Sequence, residues 1–391
     1  MKLTENAIKR HRRLFEFSRR LVGRRFMKNF AFSFLTHQEL PVPFVAVANH
    51  NCDMDPFLMG ITMPQMYYVA SEHIFRHPLF AAALEYVYSP IARRKGSVDA
   101  STVLEMRRRL KQGCSIGIFP EGNKSLDGRT GPLYENTGKL IRALGAPLVT
   151  YRLTGGFLTT PRWAFTKRIG RMTGKVVNVY SPERLKQMTD AEVSAAISSD
   201  IYVDAYADQE AEKVAYKGKK LAEGLETALF YCPVCEKIGR MTSKNETIAC
   251  ECGMHAEYDE FGYFSGPPEV PKTFTEWYHL QLRELEKRSN ALPDRIDMKF
   301  SFVKLYRVGG KHSRFALARG QFNFNKEGLS IYKGDQIQYN APLSAITSME
   351  MHGRNTLVFT AGGIYYEIKA EKRFNARLPL YLYSLYKREN Q

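Results

Sequence analysis

The sequence predicts an α/β protein that continues into a β-rich C-terminal part. Short apolar segments alternate with helical patterns between about residues 44 and 180, which is typical of a sheet covered by helices on both faces. Four cysteines cluster between residues 232 and 252. Beyond Ile296, short segments separated by glycine-containing turns indicate strands, and a closing helix is predicted over residues 375–386.

Charge and length limit the possible partners and the number of domains. The 391 residues suffice for two or three domains, and 57 Lys+Arg against 40 Asp+Glu give a net charge of +17. Such an excess suits an anionic partner, whether nucleic acid, phospholipid head groups, an acidic carrier protein or a phosphorylated cofactor. We find no signal-peptide pattern and no apolar run of ~18 residues, so a cytosolic or peripheral membrane protein is expected.

The first helical pattern, over residues 5–27, is amphipathic. Its apolar side is formed by Ile8, Leu14, Phe15, Leu21, Val22 and Phe26, and its basic side by Lys9, Arg13, Arg20 and Arg24. Such a helix can lie flat in a phospholipid interface, with its arginines on the head groups. It can equally be a surface helix packed on its own domain.

His50 follows the apolar run 44–48, which predicts a buried strand. Asp55 and Pro56 predict an N-cap and a first-turn proline, so His50 is expected in a strand-to-helix loop. An imidazole is a better base when a carboxylate orients it, and both Asp55 and Asp53 are near enough in sequence. No nucleophile elbow accompanies the pair, so the pattern favours a base that acts on a substrate hydroxyl.

Four blocks occur in the order found in one enzyme family. They are Asn49-His50-x4-Asp55, Ile91-Ala-Arg-Arg94-Lys-Gly-Ser, Ile118-Phe-Pro-Glu121-Gly122-Asn-Lys124-Ser and Ala146-Pro147-Leu-Val149. Together they resemble the motifs of the PlsC-type glycerolipid acyltransferases. The resemblance implies a glycerol-phosphate-acyltransferase-like α/β domain that moves an acyl chain from acyl-CoA or acyl-carrier protein to a hydroxyl of a glycerol phosphate.

The resemblance also assigns roles to individual residues. It makes His50 and Asp55 catalytic, and it gives acceptor binding to Arg94, Glu121, Gly122 and Lys124. This chain has Asn123 and Lys124 where the family usually has Thr and Arg, and lysine lacks the bidentate fork of arginine. The same residues could instead be a solvated charge run at 93–95 and an ordinary turn at 120–122.

The remaining elements of this domain follow from periodicity. Helices are predicted over residues 57–63, 78–87 and 99–111, strands over 67–70, 114–119 and 148–149, and a polar helical region over 181–226.

The cysteine spacing predicts a structural zinc site. Cys232 and Cys235 have the spacing of a zinc knuckle. Cys250 and Cys252, separated from the first pair by fourteen residues, are one residue closer together than usual. His255 could replace either member of the second pair. A redox role for the first pair would leave the second without a purpose.

The C-terminal part is predicted to be a linker, a helix and a β domain. The linker covers residues 261–271, the helix 275–290, and the clearest strands 300–306, 329–332 and 356–359. Strands followed by one helix resemble a pleckstrin-homology-like (PH-like) barrel. The predicted segments are the basic helix 1–40, the acyltransferase domain 41–226, a zinc ribbon 227–265, a linker and helix 266–295, and the β domain 296–391.

Three functions fit these observations. The favoured one is a peripheral O-acyltransferase of phospholipid synthesis on the cytoplasmic face of the membrane, with lysophosphatidate or a related lysolipid as acceptor and an acyl-CoA or acyl-carrier-protein thioester as donor. In that case the basic helix meets an anionic membrane surface. The alternatives are a zinc-ribbon nucleic-acid-binding protein and a non-catalytic lipid-binding adaptor. The positive charges lack the aromatic-basic pattern of an RNA module, which disfavours nucleic acid.

Overall fold

The computed structural model describes residues 3–35, 39–71, 78–93, 100–293, 296, 298–309 and 313–389. The chain forms two compact units, Met1–Pro161 with Ile169–Tyr216, and Arg162–Arg168 with Lys217–Gln391. The finer division into five segments stays a prediction. Arg94 lies outside the described residues.

The first unit is built on a seven-stranded sheet. Its strands are β1 Phe32–Phe34, β2 Val45–Ala48, β3 Met66–Ser71, β4 Ile91–Arg93, β5 Ser115–Ile118, β6 Leu148–Thr154 and β7 Met172–Tyr180. They lie in the order β1-β7-β6-β2-β5-β3-β4. Strands β2 to β6 are parallel, β7 is antiparallel to β6, and β1 runs parallel to β7.

Helices cover both faces of this sheet. They are α1 Glu5–Asn29, α2 Asp55–Thr62, α3 Pro78–Val87, α4 Ala100–Lys111, α5 Thr137–Leu144, α6 Gly156–Thr159, α7 Pro182–Gln187, α8 Asp190–Ile201 and α9 Ala205–Ala211. Alternate residues of β2 enter two cores: Ala46 and Ala48 pack with Leu58 of α2, and Val45 and Val47 pack in the core that contains Ile197 of α8. A central parallel strand is thus apolar on both sides, and the predicted α/β class is confirmed.

The apolar side predicted for α1 is only partly the side that packs. Phe15 is buried as expected, but Leu21 and Val22 are exposed. The packed face also contains the buried residues His11, which hydrogen-bonds the Tyr67 hydroxyl through Nδ1, and Gly23. Polar and small residues therefore complete the contact, and a pattern based on hydrophobicity alone misplaces its centre.

The start of α2 differs from the prediction by one residue. The N-cap is Met54, and Asp55 is the first residue of the helix. The reason is that the Asp55 carboxylate accepts hydrogen bonds from the backbone N–H groups of Asn51 and Cys52, which precede the helix. The Asp55 carboxylate therefore binds the loop that carries His50.

The second unit begins with a small antiparallel sheet. Its strands are β8 Met241–Lys244, β9 Thr247–Cys250, β10 His255–Tyr258 and β11 Phe264–Ser265, in the order β11-β10-β9-β8. Strand β11 falls inside the predicted linker, because this stretch returns to pair with β10. The helix that follows, α10 Phe274–Arg288, is capped reciprocally by Thr273 and Glu276.

Seven antiparallel strands and a terminal helix complete the chain. They are β12 Phe302–Val308, β13 Arg314–Asn325, β14 Gly328–Lys333, β15 Gln336–Pro342, β16 Ile346–His352, β17 Thr356–Ala361, β18 Ile364–Ala370 and α11 Arg377–Glu389. The first strand pairs with the last, giving the order β15-β14-β13-β12-β18-β17-β16. Leu378, Leu382 and Tyr386 of α11 share a core with Phe322 and Ile331. The predicted β-rich region with a closing helix is confirmed.

Within the described residues, none of the helices combines the length and the apolar character that crossing a bilayer requires.

Candidate active site

His50 and Asp55 form a hydrogen-bonded pair at the carboxyl end of β2. His50 Nδ1 lies 2.9 Å from Asp55 Oδ2; the Asp55 side chain is fully buried, whereas that of His50 is 19% exposed. The rival acid, Asp53, is 72% exposed and makes a 2.7 Å ion pair with Lys124 instead. Because Nδ1 donates to a carboxylate, the neutral ring carries its lone pair on Nε2.

Four donors hold the Asp55 carboxylate. Besides His50, the backbone N–H groups of Asn51 and Cys52 donate to Oδ2 at 2.6 and 2.7 Å, and the Cys52 thiol donates to Oδ1 at 3.0 Å. Burial, reinforced by the neighbouring carboxylate, raises the pKa of Cys52 well above its usual value, so the thiol keeps the proton that it donates. A buried carboxylate needs this compensation to stay ionised.

Two asparagines fix the backbone on either side of His50. Asn49 accepts a hydrogen bond from Leu153 N and donates one to Leu153 O, both at 2.8 Å, and Asn51 donates to the same carbonyl at 2.9 Å. Asn49 and Asn51 are buried. They attach the loop that carries His50 to β6, so the position of the imidazole is set by the sheet itself.

Glu121 holds the other side of the same loop. Its Oε1 accepts from His50 N at 2.6 Å, and its Oε2 accepts from Gly131 N at 2.7 Å. Burial raises the pKa of Glu121 to about 7, although the two N–H donors oppose that shift. Both oxygens are thus engaged by the protein backbone, which links the loop after β2 to the loop after β5.

The turn after β5 packs closely around His50. Ser125 N donates to His50 O at 2.8 Å, and the Phe119 ring lies 4.6 Å from the imidazole between centroids. Gly122 has φ +68°, and a Cβ there would collide with the Tyr134 hydroxyl. The guanidinium of Arg93 lies 4.2 Å above that same Tyr134 ring. The described parts of the second and third sequence blocks therefore meet at Tyr134.

Comparison with known proteins gives the family of the region around His50. The Acyltransferase family model matches residues 33–154, a range that contains His50, Asp55 and Glu121. Residues 33–154 form a domain of the Acyltransferase family. The family resemblance predicted from the four sequence blocks is confirmed.

Individual relatives cover different parts of the chain. A 115-residue stretch is 28% identical to the 1-acyl-sn-glycerol-3-phosphate acyltransferase BAT2, chloroplastic, of Brassica napus; it represents 29% of this chain and about a third (33%) of that protein's length. The match to the solved PlsC from Thermotoga maritima, described as a 1-acyl-sn-glycerophosphate (LPA) acyltransferase, spans 54% of this chain and 84% of that chain. The identity is 19% and the TM-score is 0.43. The match to the N-terminal PH domain of human ARAP2 spans 23% of this chain and 80% of that chain, at 19% identity and a TM-score of 0.19.

Three residues that support the His50–Asp55 pair were not predicted from sequence. Cys52, Asn49 and Asn51 were not assigned roles, although all three flank His50. Cysteine and asparagine beside a candidate base could have indicated such a supporting role, because short polar side chains in a strand-to-helix loop commonly form hydrogen bonds with the backbone. Of the predicted acceptor-binding residues, Glu121, Gly122 and Lys124 all lie in the turn beneath His50 or close to it.

The four cysteines converge in the second unit. The sulfur atoms of Cys232, Cys235, Cys250 and Cys252 all lie within 4.8 Å of one another. The Cys232–Cys252 and Cys235–Cys250 separations are 3.8 and 3.7 Å, too long for disulfides. Around a tetrahedral Zn²⁺ with Zn–S bonds of ~2.3 Å, sulfurs lie ~3.8 Å apart. His255 is exposed on β10 and is not part of this group.

Proposed function

We propose that the acyltransferase domain transfers a fatty acyl chain from a CoA or acyl-carrier-protein thioester to the free hydroxyl of lysophosphatidate or a related lysolipid. The observation that carries this proposal is the His50–Asp55 pair at 2.9 Å inside the region that matches the acyltransferase family. The printed name of the Brassica napus relative, a 1-acyl-sn-glycerol-3-phosphate acyltransferase, supports the choice of acceptor.

The proposed mechanism uses His50 as a general base. Its Nε2 takes the proton of the acceptor hydroxyl while the hydroxyl oxygen attacks the thioester carbonyl carbon. The tetrahedral intermediate then expels the thiolate, and the imidazolium returns the proton to the leaving sulfur. Asp55 stabilises the imidazolium in between, as the acid of a catalytic triad does. Its four donors support this role, because they favour the ionised carboxylate.

The acceptor phosphate is proposed to bind at Arg94 and Lys124. Lys124 lies close to the catalytic loop through its ion pair with Asp53, which keeps a cation near His50. When a phosphate arrives, the exposed Asp53 carboxylate is a weak competitor, since it is well solvated. For Glu121 we propose a positioning role, because its oxygens already bind the backbone of His50 and Gly131.

A panel of acceptors tests the proposed function. Purified protein is given acyl-CoA and acyl-carrier protein in parallel, with lysophosphatidate, other lysophospholipids and monoacylglycerol as acceptors. We expect transfer to lysophosphatidate, and much slower transfer to monoacylglycerol, because that acceptor has no phosphate for the cations to bind. Absence of transfer to every lysolipid, with both donors, would contradict the proposal.

Cys52 is proposed to position Asp55, and its substitution separates that role from simple packing. Cys52→Ala removes one of the four donors, so Asp55 is held less firmly in the orientation in which it supports the imidazole. We expect kcat to fall about 10-fold, which corresponds to about 1.4 kcal/mol.

Cys52→Ser serves as the matched variant, because a hydroxyl can still donate to Asp55 Oδ1. It should restore most of the rate. If the serine variant is as slow as the alanine variant, the thiol has only a packing role.

We also propose that the exposed face of α1 rests on an anionic membrane surface at the cytoplasmic side. Phe17 and Leu21 are 64% and 67% exposed, and they share a helix face with Arg13, Arg20 and Arg24. Apolar side chains beside arginines suit an interface of acyl chains and phosphates. The lysolipid acceptor would then be taken from the same surface.

In the second unit we propose that the four cysteines bind a structural Zn²⁺. The near-tetrahedral spacing of their sulfurs supports this assignment. Four protein ligands fill the coordination sphere and leave no position for a substrate, so the metal would stabilise the fold and take no part in acyl transfer.

A further inference from the structure

The middle strand of the β domain presents aromatic and basic side chains on the face that lies away from the core. Val303 and Leu305 of β12 belong to the core that contains α11. Because side chains alternate along a strand, Phe302, Lys304 and Tyr306 lie on the opposite face, which we call the outer face. Phe302 and Lys304 are exposed, and Tyr306 is partly buried. An aromatic, a cation and an aromatic therefore follow one another along β12.

Lys304 has a positive charge on each side in the sheet. The strand register places Arg319 of β13 opposite Lys304 on one side and Lys369 of β18 opposite it on the other. All three side chains are exposed. Like charges directly opposite each other destabilise a sheet. The stability of the fold gives no reason for this row of three cations, whereas the binding of an anion does.

The acids beside the row do not neutralise it. Glu367 lies opposite Tyr306 and is buried. Its carboxylate makes a 3.0 Å ion pair with Arg314, so its charge is already compensated. Glu371 follows β18 and is exposed, and it can offset one of the three positive charges. The row consequently keeps an excess of positive charge.

More cations gather around Phe165 at the adjoining edge of the outer face. The Lys372 ammonium lies 4.1 Å from the centre of the Phe165 ring, and the Arg354 guanidinium lies 5.4 Å from it. Lys372 follows Lys369 by three residues. Arg354 is two residues from Thr356, which pairs with Lys369. The row and the cations at Phe165 therefore form one basic surface, and all of it belongs to the second unit.

The rings of this basic surface suit stacking better than insertion into a bilayer. The Arg319 guanidinium lies 5.0 Å from the centre of the Phe302 ring. Phe302 is 38% exposed, and Phe165 and Tyr306 are partly buried, so none of the three rings protrudes freely. A bilayer takes up apolar side chains that reach about 5–10 Å into it. A nucleobase needs only one accessible face of a ring, with cations nearby for its phosphates.

The width of the sheet favours a single strand over a duplex. Strand β12 is the fourth of seven strands, so the row of cations lies in the middle of the sheet. The major groove of a duplex admits a helix or a two-stranded ribbon. Single strands can lie across the face of a wider sheet, because their bases are free to stack on its aromatic side chains.

We propose that this basic surface binds single-stranded nucleic acid, with its phosphates at Lys304, Arg319 and Lys369 and a base stacked on Phe302. The inference concerns the second unit and does not depend on the proposed acyl transfer. Sequence analysis missed the aromatic-basic pattern because its members are far apart in the chain. They lie at positions 165, 302–306, 319, 354 and 369–372.

Fluorescence anisotropy of labelled oligo(U) and oligo(dT) with the full chain tests the cations. We expect the wild type to bind at least one of them. The double variant Lys304→Gln/Lys369→Gln should bind about 10-fold more weakly, because two charge-assisted contacts are lost. The slope of log K against log salt should become shallower by about 1.4, which is roughly 0.7 for each lost phosphate contact. The control is Lys139→Gln/Lys186→Gln, with the same charge change at exposed lysines of α5 and α7 in the first unit. It should bind as the wild type does.

Two substitutions of Phe302 test the stacking. Phe302→Leu keeps an apolar side chain without a ring, and Phe302→Tyr keeps the ring. We expect Phe302→Leu to weaken oligonucleotide binding about 10-fold, within the usual effect of one lost base stack, and Phe302→Tyr to leave it unchanged. Melting curves equal to that of the wild type show that the variants keep the fold.

Co-sedimentation with phosphatidylcholine vesicles that contain phosphatidylserine tests the competing partner. Helix α1 is proposed to bind such vesicles, so Lys304→Gln/Lys369→Gln should sediment with them as the wild type does. The proposal is wrong if neither oligonucleotide binds, or if the first-unit control weakens binding as much as the double variant. It is also wrong if Phe302→Leu binds oligonucleotides as the wild type does, or if the double variant loses vesicle binding instead.

Discussion

Replacing His50 with alanine is expected to lower kcat/KM for acyl transfer by roughly 10²–10⁴-fold, the usual contribution of a positioned general base. The variant lacks the imidazole, which is the group of the His50–Asp55 pair that accepts the hydroxyl proton in the proposed mechanism. The fold should survive, because the ring is partly exposed and the loop is held by backbone and by Asn49 and Asn51. Initial rates with lysophosphatidate and acyl-CoA measure the effect.

His279→Ala is the control for this experiment. It removes an imidazole from α10, in the other unit, and should leave the rate unchanged. The melting temperature of His50→Ala should match that of the wild type, so that a lost rate reports on chemistry. Turnover of His50→Ala at the wild-type rate would remove the general base from the mechanism and, with it, the functional meaning of the pair.

The spacing of His50 and Asp55 could be predicted because it is local. A strand that ends at Ala48 and a helix that begins near Pro56 leave a loop of fixed length, and this loop brings the two side chains together. The choice between Asp55 and Asp53 needed the structure. Asp55 turns back into the loop from the first residue of α2, whereas Asp53 points to solvent and Lys124.

The supports of the loop could not be predicted because their partners are remote in sequence. Asn49 bonds to Leu153, 104 residues away, and His50 N bonds to Glu121, 71 residues away. Sequence gives the capacity of Asn and Glu to bond to backbone, but the partner depends on which strands become neighbours. Strands β5 and β6 flank β2 in the sheet, and that order is a property of the whole domain.

The N-terminal helix shows the limit of hydrophobic patterns. The prediction grouped Leu21 and Val22 with Phe15, yet only Phe15 is buried. Helix α1 also packs through His11 and Gly23, and a pattern built from apolar residues includes neither of them. Because the packed face excludes them, Phe17 and Leu21 are exposed beside arginines. This arrangement supports the proposed membrane contact.

Removal of the metal proposed at the cysteines is expected to have the largest effect on the second unit. Structural zinc sites contribute about 10–16 kcal/mol of apparent binding free energy in small zinc domains. That is as large as the whole stability of a typical domain, about 5–15 kcal/mol. Cys250 ends β9, and Cys232 N donates to Lys237 O in the first turn, so the metal would join both segments. Chelation should therefore unfold the four-stranded sheet β8–β11.

Two measurements on the full chain check this expectation. Protein purified without chelators should contain one zinc per chain, and Cys232→Ser should lose it together with a distinct thermal transition. Cys114→Ser is the matched control, because Cys114 is buried beside β5 in the first unit and its loss should leave the zinc content at one. A chain that contains no zinc, or one whose melting curve is unchanged by chelator, would show that the four thiols are held together by packing alone. The spacing of 3.7 and 3.8 Å between sulfurs that form no disulfide would then need another cause.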